Sequence, residues 1–188
     1  MDVATDKSRV PPTGLFPIGG PANLKKMESI PLARHLRAQF QLDWMGIHGA
    51  SHWARVRAIG LYMARVTGAD PLVVELFAWM HDTQRLNDGH DPLHGDRSAR
   101  YARSLQGEYF DLTSRQLDLL QEACRHHSDG FTDGDITVRT CWDADRLDLG
   151  RVGITPDPER LCTPIAQTEA TRALAQGRAV RWAGTHWR

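Results

Sequence analysis

The sequence has no long hydrophobic run. Its longest apolar stretch, Leu72 to Met80, is interrupted by Glu75 and falls well short of the ~20 apolar residues that a bilayer-spanning helix needs. It also has no excess of charge of either sign. Lys plus Arg and Asp plus Glu number 23 each, which excludes the global basic field used by nonspecific nucleic-acid binders. Cysteine is sparse: Cys124, Cys141 and Cys162 are odd in number, widely spaced and form no C-x-x-C pair. That argues against both a disulfide framework and a zinc ribbon. The opening Met1-Asp2-Val3-Ala4-Thr5-Asp6 lacks the basic-then-apolar plan of a secretory signal. There is no G-x-S-x-G elbow, no G-x-x-x-x-G-K loop and no G-x-G-x-x-G turn. The expectation is a cytoplasmic protein that contacts neither membrane nor nucleic acid, and 188 residues suffice for one domain with a proper core.

Helical signals are present almost throughout. Residues 1–28 read as a poorly ordered arm, because Pro11-Pro12-Thr13-Gly14 and Gly19-Gly20-Pro21 propagate neither a helix nor a central strand. Residues 29–165 read as a helical domain and 166–188 as a C-terminal helix or tail. Helices are predicted over 31–42, 51–67, from Asp70-Pro71 to the His81-Asp82 pair, 96–106, 114–127 and 137–149, with a short one near 164–176. Asp70 supplies an N-cap and Pro71 a first-turn proline. The segment from Leu72 to Met80 is apolar nearly all round, which marks it as the buried central element. Leu86 to Gly95 reads as a polar loop, and no segment alternates as a strand does. The fold class predicted is all-α, a single-domain helical bundle.

Against this background a few polar residues stand in apolar stripes. His52 shares a face with Val56, Ile59 and Met63, at spacings of four, three and four. One such histidine is more often a hydrogen-bonded core residue than a ligand. His81-Asp82 ends the apolar helix, where an aspartate needs a partner. Arg55 and Arg85 offer a plain salt bridge, and a metal ion is the other solution. Asp145 falls on the core side of the stripe Val138, Cys141, Trp142, Leu149. Asp143 lies about 200° away on a helix, so it reads as pairing with an arginine or supporting a ligand. His127 continues a stripe with Leu117, Leu120 and Cys124, while His126 points elsewhere. His48, His90 and His94 are further imidazoles close in sequence to these positions. Arg55, Arg85, Arg97 and Arg146 are cations suited to phosphate. The tail from Arg178 to Arg188, with Trp182 and Trp187, reads as docked on the core or disordered rather than stacked on nucleic acid. Two imidazoles and two carboxylates form an N/O-only set suited to a divalent first-row metal and to hydrolysis.

The order His52, then His81-Asp82, then Asp145 resembles the HD-domain superfamily of metal-dependent phosphohydrolases. His48-Gly49-Ala50-Ser51-His52-Trp53-Ala54-Arg55-Val56 is similar to that family's H-x-x-R-V opening. Phe77-Ala78-Trp79-Met80-His81-Asp82 is similar to its apolar helix ending in HD, and Asp143-Ala144-Asp145-Arg146-Leu147-Asp148 to its closing element. The likeness spans roughly residues 44–150. It implies five or six core helices and a divalent ion (Mn, Fe, Co, Ni, Zn or Mg) held by His52, His81, Asp82 and Asp145. It further implies hydrolysis of a small phosphorylated substrate, with a nucleotide favoured. Asp82, His94, His127 and Arg97 are then the residues expected at the reaction, and His94 and His127 leave room for a second metal. Members acting on nucleoside monophosphates or guanosine alarmones usually carry a glutamate three residues after the HD aspartate, where this chain has Arg85. The alternatives are a di-iron oxygenase and a non-catalytic module that binds metal or nucleotide. A homodimer is compatible with all three.

Overall fold

The computed structural model describes residues 31–186, and side chains through residue 184. The expected arm over 1–28 lies outside them. Among the described residues there are eight α-helices: α1 Pro31–Gln39, α2 Ala50–Thr67, α3 Pro71–Met80, α4 His94–Leu105, α5 Ser114–His126, α6 Ile136–Arg146, α7 Pro164–Gln167 and α8 Glu169–His186. Two 3-10 turns, Leu149–Val152 and Pro158–Arg160, lie between α6 and α7. No strand occurs among the described residues, only an isolated bridge between Gln106 and Phe110. The all-helical class predicted from periodicity is the fold observed.

Local chemistry sets the helix ends. Gly68 ends α2 in the left-handed region (φ 76°), with its N–H donating to the Ala64 carbonyl. Two residues on, Asp70 Oδ1 accepts from the N–H groups of Leu72 and Val73, and Pro71 fits the first turn of α3. Thr113 and Gln116 close a reciprocal capping box on α5. Helix α3 is the centre: Val73, Val74 and Leu76 through Met80 are buried, and it packs against α2, α4, α5 and α6. Each large apolar side chain so buried contributes about 1.5–3 kcal/mol. At Gly60 helices α2, α3 and α6 lie close together. A Cβ there would lie 2.8 Å from Val74 Cγ1 and 3.2 Å from Ala144 Cβ.

Some boundaries differ from the prediction. Helix α1 stops at Gln39 rather than near residue 42, and α4 begins at His94, two residues early. Helix α6 ends at Arg146, because the chain tightens into the 3-10 turn that Gly153 closes at φ 80°. The short helix expected near 164–176 is instead two helices, parted at Thr168. Its extended backbone (ψ 142°) ends α7, and its Oγ1 accepts from the Thr171 N–H. Helix α8 then runs to His186 and packs on the Leu149–Val152 turn. The described part of the basic, aromatic tail is docked, with the Arg55 guanidinium 4.8 Å from the Trp182 ring centre. No helix among the described residues is long and apolar enough to cross a membrane.

Candidate metal centre

Five helix ends meet at one place. His52 lies in the first turn of α2, His81 caps the C-terminus of α3 with Asp82 next to it, and His94 opens α4. His127 caps α5, and Asp145 lies in the last turn of α6. All are buried except Asp145, whose side chain is 17% exposed. His52 Nε2 and His81 Nε2 are 2.9 Å apart. Asp145 Oδ1 is 3.3 Å from the first and 3.7 Å from the second, and Asp82 Oδ2 is 3.6 Å from both. The other oxygen of Asp82 faces a second group: Oδ1 is 3.4 Å from His94 Nε2 and 3.5 Å from His127 Nε2, which are 2.8 Å from each other. The structure thus brings His52, His81, Asp82 and Asp145 together, and seats His94 and His127 beside them across a shared carboxylate.

Proton placement tests whether a cation fits. His52 Nδ1 bonds Asp148 Oδ2 at 2.7 Å, and His81 Nδ1 the Phe77 carbonyl at 3.2 Å. His94 Nδ1 bonds the Asp91 carbonyl, and His127 Nδ1 the Cys124 carbonyl at 2.8 Å. A carboxylate or carbonyl only accepts, so every Nδ1 carries the hydrogen and every neutral ring keeps a lone pair on Nε2. Two such lone pairs at 2.8–2.9 Å repel unless a cation lies between them. Ligands about 2.0–2.2 Å from an ion stand about 3.0–3.6 Å apart at tetrahedral to right angles. The spacings here, 2.8–3.7 Å, fit that requirement. The donors therefore suit one divalent ion at His52, His81 and Asp82, with Asp145 Oδ1 beside the two imidazoles, and leave Asp82, His94 and His127 as ligands for another.

The electrostatics favour the same protonation states at His81, His94, Asp82, Asp145 and Asp148, whereas His127 is raised, burial being outweighed by its contact with Asp82 and by Asp145 nearby. Burial holds His81 neutral, down to about 3, and pushes His94 below its usual value as well. Burial would raise Asp82, but His81 and His127 beside it override this and keep the carboxyl well below the carboxylate range. Asp145 is likewise held down, burial being outweighed by its contact with His52. Asp148 is lowered against burial by His52 and Arg55. Deprotonated carboxylates and neutral imidazoles are the forms that bind metal.

A cleft of about 600 Å³ opens over this centre. Its wall includes His127, four aspartates (Asp82, Asp88, Asp145, Asp157), four arginines (Arg85, Arg146, Arg151, Arg160), and apolar side chains such as Ile47, Leu149 and Val152. His48 precedes α2, lines the cleft and pairs with Asp88 at 2.8 Å. Arg97, expected to receive phosphate, is not in this wall. It is tied to Asp91 Oδ2 at 2.5 Å and to the Gln84 carbonyl, and so braces the loop before α4. Asp143 does not pair with an arginine. It is buried on the far side of α6 and accepts from the N–H groups of Cys162 and Thr163 and the Thr163 hydroxyl, because that segment wraps a face that sequence alone leaves to solvent. Arg85 donates to Asp82 Oδ1 at 3.0 Å, and Arg55 to Asp148. His126 bonds Asp129, and His90 is exposed in the loop. Sequence reasoning missed Asp148 as the partner of His52. Its position one helical turn after Asp145 was the available signal.

The protein is an all-helical bundle whose helix ends converge on buried histidines and aspartates that could hold a metal ion. Among solved structures the chain is similar to a predicted HD superfamily hydrolase from an uncultured Thermotogales bacterium. The two are 25% identical with a TM-score of 0.60, over 88% of this chain and 97% of that one. No family model and no curated protein matches the sequence. The fold neighbour and the His52, His81-Asp82, Asp145 order agree, and together support assignment to the HD-domain superfamily.

Proposed function

We propose that the protein is a metal-dependent phosphohydrolase acting on a small phosphorylated metabolite, with nucleotides the favoured class. One observation carries the reading: four Nε2 lone pairs and two carboxylates face one another under a cleft walled by arginines. A divalent ion at such a set acidifies water and polarises a phosphoryl oxygen, and a pair of irons would add oxygen chemistry. The residues do the rest. His52, His81, Asp82 and Asp145 fix the ion, and Asp148 and three backbone carbonyls hold the rings in one tautomer. The wall's four arginines, set beside four aspartates, offer donors to a phosphate once an ion is bound, and Ile47, Leu149 and Val152 offer an apolar bed for the non-reacting part of the substrate. The similarity to a predicted HD superfamily hydrolase supports hydrolysis in general. To test it, protein loaded in turn with Mn, Fe, Co, Ni, Zn and Mg is offered a panel of nucleotides and phosphoesters. Phosphate release should fall by about a thousandfold or more in Asp82→Ala, since removing a metal ligand removes the reaction centre. Release no higher than that variant's, with every metal, would sink the proposal.

A second reading, a di-iron oxygenase, is favoured by one feature: Asp82 faces both His52–His81 and His94–His127 with separate oxygens. It predicts two irons per chain and substrate-dependent oxygen uptake. One metal per chain, or indifference to oxygen, would exclude it.

A further inference from the structure

The cleft arginines differ in what already occupies their donors. Arg85 uses Nε on Asp82 and Nη1 on the carbonyls of Asn87 and Gly89. Arg146 uses Nη1 on the Arg160 carbonyl and Nη2 on the Phe131 carbonyl. Arg160 is exposed. Arg151 is buried (5% exposed) and, unlike Arg146, has neither Nη group hydrogen-bonded. Of the five N–H groups that a guanidinium carries, only its Nε–H finds an acceptor among the described residues, the Ile47 carbonyl at 2.8 Å. Its Nη1 is buried and makes no hydrogen bond.

The nearest carboxylate does not answer it. Asp148 Oδ2 is 3.8 Å from Arg151 Nη1, beyond hydrogen-bond range. Both Asp148 oxygens are already taken, by Arg55 Nε at 2.6 Å, Arg55 Nη2 at 2.9 Å and His52 Nδ1 at 2.7 Å. A buried cation without hydrogen-bonded partners is costly, and an oxyanion arriving in the cleft removes that cost. The local charge points the same way. The four arginines of the cleft wall are matched by Asp82, Asp88, Asp145 and Asp157, so the charge of a divalent ion is left for an anionic ligand to meet.

We propose that Arg151 is the specificity-determining residue that grips the substrate's phosphoryl oxygens through its free Nη groups. This rests on the cluster being a metal centre and the cleft being its substrate site. Its planar fork suits two oxygens of one phosphoryl group, and the Ile47 carbonyl fixes its stem. An apolar ester portion would lie along Val152 and Ile154 beside it.

The test is calorimetric titration of inorganic phosphate into the full chain loaded with Mn²⁺, with Mn²⁺ uptake measured first. Arg151→Gln should weaken phosphate binding by about ten- to a hundredfold, the range of one charge-assisted contact, while Mn²⁺ affinity stays within about twofold because no proposed ligand changes. Arg151→Lys keeps the charge without the fork and should fall between; it carries the test if the glutamine variant fails to fold. Phosphate affinity equal to wild type in the folded variants, or no phosphate binding by Mn²⁺-loaded wild type, overturns the assignment. Failure of wild type to take up Mn²⁺ instead removes the metal reading. The same phosphate titration on the metal-free chain then decides Arg151 by itself: a variant-dependent loss supports it and no difference ends it.

Discussion

Asp148 acts at one remove from the centre. It accepts the Nδ1–H of His52 at 2.7 Å and a two-pronged contact from Arg55, so one carboxylate sets both the tautomer and the direction of the His52 lone pair. Asp148→Asn keeps the shape but removes the charge and puts an amide N–H₂ where one acceptor stood. The expected outcome is a ten- to hundredfold loss of metal affinity, about the usual size for disturbing a ligand's hydrogen-bond partner, read by competition with a chromophoric chelator. Unchanged affinity would show that His52 needs no such partner. This level of detail was only half legible in the sequence. His52, His81, Asp82 and Asp145 announce themselves because polar groups in apolar stripes are costly without partners. Which arginine is free is not so marked. Arg97 and Arg151 look alike as letters, and only the folded chain shows Arg97 engaged by Asp91 and Arg151 with donors left over.

At the level of elements, the centre depends on how closely helices approach. Gly95 follows His94 at the start of α4, and a Cβ on it would lie 2.6 Å from the carbonyl oxygens of both Cys124 and Arg125 on α5. Backbone at that distance cannot give way cheaply, so Gly95→Ala must push α4 off α5. The helix-propensity gain of alanine, about 1 kcal/mol, works against an overpacking cost of about 1–3 kcal/mol, and the cost should prevail. The variant should melt lower and lose any second ion, since His94 and His127 are carried on the two helices that part. The His52, His81, Asp82, Asp145 group sits across α2, α3 and α6 and should keep its ion. Metal counting on the folded variant distinguishes these outcomes; two ions retained would refute the coupling. Helices themselves were readable from the sequence, because apolar residues recur every three or four positions and Asp70-Pro71 and Thr113 mark starts. Their ends were not. The early start of α4, the 3-10 turn after α6 and the break at Thr168 follow from hydrogen bonds and packing that periodicity does not encode.

For the whole molecule, the centre also bears on stability, since it draws on every helix that packs around α3. The segments bearing His52, Asp82, His94, His127 and Asp145 are ordered together in the folded chain and scattered over nearly a hundred positions in the unfolded one. An ion that binds the gathered set and not the scattered one stabilises the fold by mass action. At a free concentration a hundred times the dissociation constant the gain is about 2.7 kcal/mol. For a chain of this length each kcal/mol moves the midpoint by about 2–4 °C. Adding Mn²⁺ or Zn²⁺ at that ratio should therefore raise Tm by about 5–10 °C, and a chelator should return it to the metal-free value. In Asp82→Ala, which removes the carboxylate shared by both groups, the increment should vanish when each protein is compared with and without ion. A Tm that rises equally in wild type and in Asp82→Ala would mean that the ion binds elsewhere on the surface, and that the convergence of helix ends serves packing alone.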